Sequence, residues 1–89
     1  MGDIKEQLKF PISINVKVVL DKTLTKQEAK ITIMNICSEF KAAPVWQGAK
    51  ESKNGNFISY TVFVNLESHE VFHSLYMELG KVPGVKLVL

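Results

Sequence analysis

From Pro11 the chain alternates. Ile12, Ile14, Val16, Val18 and Leu20 point one way, and Ser13, Asn15, Lys17 and Val19 the other. That period of two marks a half-buried β-strand. The period then changes. Thr25 and Glu28 form a T-x-x-E capping box, in which each side chain satisfies an orphaned backbone donor of the other. Ala29, Ile33, Ile36 and Phe40 follow at helical spacing, with Cys37 on the flank. Ile31 and Met34 fall outside this stripe and are either part of a broad buried face or a small exposed apolar patch. Pro44 ends the helix and lacks a backbone donor, so the segment from Val45 to Ser52 suits an edge strand. Lys53-Asn54-Gly55-Asn56 is a hairpin signal, because Asn-Gly tolerates the positive φ of tight turns. Ile58, Tyr60, Val62, Val64 and Leu66 then alternate against Phe57, Ser59, Thr61, Phe63 and Asn65. A second helix runs from about Ser68 to Leu79, with Phe72, Leu75, Tyr76 and Leu79 inward and Gly80 placed to end it in a left-handed conformation. Val85, Leu87 and Leu89 complete a last strand.

The order is β-α-β-β-α-β. Two right-handed crossovers joined by a hairpin close into one compact α+β solution, the ferredoxin-like plait. It has a four-stranded antiparallel sheet with both helices on one face, and its first and third strands are central. Residues 10–89 are expected to form this single domain, and residues 1–9, polar and without a period, a flexible arm. Val16, Ile33, Val62, Leu75 and Leu87 are expected to share the core.

Composition narrows the functional classes. The net charge is +2, and all eleven basic residues are lysine. Without arginine the chain lacks the planar fork that recognises phosphate, carboxylate or guanine bidentately. One cysteine excludes an internal disulfide and every multi-cysteine metal motif. The N-terminal residues show no signal pattern, and no apolar run approaches the ~18 residues of a membrane span. A cytoplasmic protein with no membrane partner is expected.

Four stretches resemble one small bacterial family, the YbeD-like proteins. They are Lys9-Phe10-Pro11, the Ser52-Lys53-Asn54-Gly55-Asn56-Phe57 hairpin, the helix end Leu75-Tyr76-Met77-Glu78-Leu79-Gly80-Lys81 and the terminal Val85-Lys86-Leu87-Val88-Leu89. The resemblance implies a ferredoxin-like plait related in shape to the amino-acid-sensing ACT domains. By that analogy it implies a regulatory role, and it brings no catalytic residues with it. ACT domains that bind amino acids place a glycine in the loop after the first strand. Here Asp21-Lys22-Thr23-Leu24-Thr25 has none, which argues against amino-acid binding at that loop.

Chemistry-bearing residues are few. His69 and His73 stand i, i+4 on the second helix, but the local sequence offers no third ligand, so no metal is expected there. Cys37 sits among core residues with no histidine near it and reads as a small buried hydrophobe. Nucleophile elbow, phosphate loop and paired carboxylates are absent. An RNA-recognition module shares this topology, yet it stacks bases on aromatics of both central strands. Here only the third strand offers any, Phe57 and Phe63, and the first strand presents Ser13, Asn15, Lys17 and Val19. The expected function is therefore a non-enzymatic regulatory or protein-interaction module without a cofactor, binding itself or a protein partner. An amino-acid sensor and an RNA-binding module are the alternatives. The candidate surface is Val19, Phe57 and Phe63 on the open sheet face, with Trp46 on the edge strand as a packing residue or an interface anchor.

Overall fold

The computed structural model describes residues 9–89, so the arm expected over 1–9 falls, but for Lys9, outside the described residues. The elements are β1 (Ile12–Leu20), α1 (Lys26–Glu39), β2 (Val45–Glu51), β3 (Ile58–Leu66), α2 (His69–Leu79) and β4 (Val85–Val88). The sheet is antiparallel in the order β2-β3-β1-β4, with β1 and β3 central. This is the ferredoxin-like plait.

Both helices start as their sequences dictate. Thr25 Oγ1 accepts the Glu28 N–H at 3.1 Å, and Glu28 Oε1 accepts the Thr25 N–H at 2.9 Å. Ser68 caps α2 by accepting the Val71 N–H at 3.2 Å. Their ends are less conventional. Past α1, the Ala42 N–H bonds Cys37 O at 3.1 Å and the Lys41 N–H bonds Ser38 O at 2.9 Å. This is the six-to-one, five-to-two pairing that a left-handed residue makes beyond a helix. The left-handed residue is Lys41, at φ 56°, not a glycine. Gly80, expected to be left-handed, is instead right-handed at φ −65°, ψ −15°. There Lys81 and Val82 donate to Glu78 and Leu79, so short right-handed turns satisfy the last carbonyls of α2 and no reversal is needed.

Core packing follows the two periods. Val16, Val18 and Leu20 of β1 and Ile58, Tyr60, Val62, Val64 and Leu66 of β3 are buried beneath the helices. Above them lie Ala29, Ile33 and Cys37 of α1 and Leu75 and Leu79 of α2. Cys37 is thus central to the inward face of α1, not on its flank, while Ile36 and Phe40 are half-buried. Met34 packs against the core, and Ile31 is 51% exposed.

Leu87 does not join the core. It is 45% exposed. The cause is a register shift in the β1–β4 pairing, where Val19 faces Leu87 but Leu20 faces Val85. Lys86 is the extra residue of that bulge, and it breaks the alternation of Val85, Leu87 and Leu89. Val88, opposite buried Val18, takes the inward place.

Candidate functional site

The open face of the sheet is set by register. Val45 pairs with Phe63, Gly48 with Thr61 and Lys50 with Ser59. Across β1, Phe63 pairs with Asn15, Thr61 with Lys17 and Ser59 with Val19. Val19 pairs with Leu87, and Lys17 exchanges both backbone bonds with Leu89, at 3.0 and 2.8 Å. Every one of these positions faces away from the helices. The paired strand positions on this face include Lys17 and Lys50 and no carboxylate.

Two apolar ends result. At the hairpin end, Val19, Phe57 and Ser59 floor a shallow concavity of about 530 Å³ whose rim includes Lys50, Lys53 and the carboxylate of Glu51. Lys86, thrown out by the β4 bulge, places its Nζ 6.0 Å from the Phe57 ring centroid, within cation–π reach. Leu87 borders Val19. The other end holds Phe63 beside Val45, next to the Ser13 hydroxyl that donates to Asn65. Six residues of extended chain put Phe57 and Phe63 about 20 Å apart. The structure therefore unites Val19 and Phe57 and leaves Phe63 as a separate point on the same face.

Trp46 is on the other face. It pairs with buried Val62, and its ring lies 5.7 Å from that of Tyr60 and 5.5 Å beneath the Lys30 ammonium. It cannot share a contact with Phe63 and Val19. Sequence reasoning also missed Val45, Lys86, Leu87 and Leu89 on the open face. The strand pairs that place them are non-local, and the bulge at Lys86 has no sequence mark.

The remaining candidates take ordinary places. The His69 ring lies 4.5 Å from that of Phe10, and His73 is exposed. Among the described residues no group of three or more His, Cys, Asp or Glu side chains converges. Burial pushes the Cys37 thiol up to about 11. In the loop after β1, the Thr23 hydroxyl and N–H hold the Asp21 carboxyl below its usual range, the N–H bond measuring 2.9 Å. Gly84, at φ 83°, lies so close that a Cβ there would collide with Asp21 Oδ1. Among the described residues no helix is long and apolar enough to cross a membrane.

Comparison with known proteins matches this architecture. A UPF0250 protein of Shewanella piezotolerans is 33% identical over 84 residues, covering 94% of this chain and 92% of the relative. One of Erwinia tasmaniensis is 29% identical over 87 residues, covering 98% and 97%. Among solved structures, Protein HP0495 from H. pylori superposes with a TM-score of 0.73 at 15% identity, over 92% of this chain and 85% of that one. The ACT domain from GTP pyrophosphokinase of Chlorobium tepidum gives 0.60 at 14% identity, over 88% and 95%. At such identities these two show the shared fold alone. The family described as "Protein of unknown function (DUF493)" matches residues 5–89. The chain belongs to that family, the YbeD-like proteins its hairpin and C-terminal half resemble.

Proposed function

We propose that this protein is a non-enzymatic regulatory module that docks a partner protein on its open sheet face. The observation that supports this reading is the combination found there: exposed Leu87 and Val45 with half-buried Val19, Phe57 and Phe63, among lysines that outnumber the one carboxylate at the rim, Glu51. Aromatics that keep part of their rings in solvent are common anchors of contacts, and a face with an excess of one sign selects its partner by charge. A second copy is a poor occupant, because a two-fold contact would set lysine against lysine. The fitting partner presents an acidic segment with apolar anchors. A cytoplasmic setting, in which an unpaired thiol stays reduced, suits this role.

The sensor reading has less support at the loop after β1. Asp21 already occupies the Thr23 backbone donor, and its charge repels the carboxylate of an amino acid. RNA binding is disfavoured by spacing, since Ser59 and Thr61 separate two aromatics about 20 Å apart and β1 has none.

Affinity capture from native cells, comparing the wild type with Phe57→Ser and Lys50→Glu, tests the proposal. A protein retained by the wild type and lost with both variants, at unchanged thermal midpoints, is the expected result. Capture unaffected by either variant would overturn it.

A further inference from the structure

The helix-covered side of the sheet is not closed at its β2 edge. There the β2 strand contains a second bulge, between Trp46 and Gly48, which brings Trp46 and Ala49 onto the same face. Trp46, Ala49 and Tyr60 floor a groove of about 490 Å³, and Lys26, Lys30 and Ile31 of α1 form its far wall. The small Ala49 side chain leaves the indole edge open. Ile31, 51% exposed, is covered by no element of the fold.

Charge around this groove is unbalanced. Glu51 Oε1 sits 3.3 Å from Lys26 and 3.9 Å from Lys22, so one carboxylate serves two lysines. Lys30 is held over the Trp46 ring at 5.5 Å. A flat apolar floor, an aliphatic wall and an excess of positive charge on one rim together select an amphipathic anion. The donors narrow it further. The side-chain cations are lysine point charges with no arginine fork among them, and the capping box already takes the Glu28 N–H of the α1 N-terminal turn. A single negative charge suits such a site better than a polyphosphate, which calls for backbone donors or arginine forks.

We infer that the groove between α1 and β2 is a binding site for a small aromatic carboxylate, its ring against Trp46 and Ile31 and its charge toward Lys30 and Lys26. This site is on the opposite side of the sheet from the open face, so it stands or falls independently of the partner-docking reading.

Titrating the full chain with 1-naphthoate, followed by NMR of the backbone amides and the single indole N–H, is the test. Saturable shifts confined to Trp46, Ala49 and Ile31 are expected, with a dissociation constant below ~1 mM. Uncharged 1-naphthalenemethanol should bind markedly more weakly. Lys30→Glu, at an exposed position, should weaken naphthoate about tenfold or more while leaving the thermal midpoint unchanged. Ile31→Glu, also exposed, gives the same readout should the first variant lose stability. Weaker binding than ~1 mM, equal affinity for the uncharged analogue, or indifference to both substitutions would overturn the assignment.

Discussion

Lys41 shows how much a single backbone position can ask of its residue. Its φ of 56° is the left-handed region, which crowds the Cβ of any L-residue by roughly 1–2 kcal/mol. The position follows α1 and makes the paired carbonyl bonds that glycine usually makes. Lys41→Gly should therefore raise stability, by up to about 1 kcal/mol after the extra freedom glycine gains in the unfolded chain. Chemical denaturation of the pair checks it, and a loss of stability would mean that the lysine side chain contributes more than its backbone costs. Sequence suggested the opposite placement, with Gly80 as the left-handed cap, because glycine after an apolar stripe looks alike whether the turn reverses or merely tightens. Cys37 was legible as a hydrophobe. Its thiol, raised to about 11 by burial, stays protonated in the folded state well above the pH at which an unfolded thiol ionises. Folding thus favours the thiol form, a contribution present at neutral pH and lost as the pH rises toward that value. At pH 8 a disulfide reagent should label native protein far more slowly than protein in denaturant. Equal rates would place Cys37 at the surface.

At the scale of elements, all four strands and the edge places of β2 and β4 were readable, but the side-chain faces were readable only in the central pair. Alternation fixed β1 and β3, because nine residues with buried neighbours on both sides admit one register. In β4 four residues and one bulge suffice to turn Leu87 outward and Val88 inward. The bulge at Gln47 likewise separates Trp46 from Phe63. Stability should follow the observed faces and not the alternation. Leu75, fully buried in α2, should lose roughly 2–5 kcal/mol on substitution by alanine. Leu87→Ala should lose about 0.5 kcal/mol or less, as expected of a surface change. Urea unfolding of both variants decides this. Comparable losses would put Leu87 back in the core and remove the bulge.

For the whole molecule, the plait has one face covered by helices, save at the β2 edge, and one left open, and a partner that uses the open face must span it. Phe57 with Val19 and Leu87 forms one end of that span, and Phe63 with Val45 the other. Neither end alone offers the area of a stable contact, near 800 Å² per partner. Both together, with Lys17 between them, come closer to it. If one partner engages both ends, each phenylalanine should matter, and their effects should add, since side chains farther apart than about 10 Å rarely couple. Phe57→Ser and Phe63→Ser should each weaken binding of a captured partner, and the double variant should weaken it by the product of the two factors. Ile31→Ser, on the helix side, should leave that affinity unchanged. The isolated protein should remain a monomer by light scattering, because the lysines of the open face repel a second copy. Titration calorimetry of the four variants against wild type measures the outcome. A silent Phe63→Ser beside a damaging Phe57→Ser would confine the contact to the hairpin end, and a damaging Ile31→Ser beside two silent sheet variants would move the partner to the opposite side of the molecule.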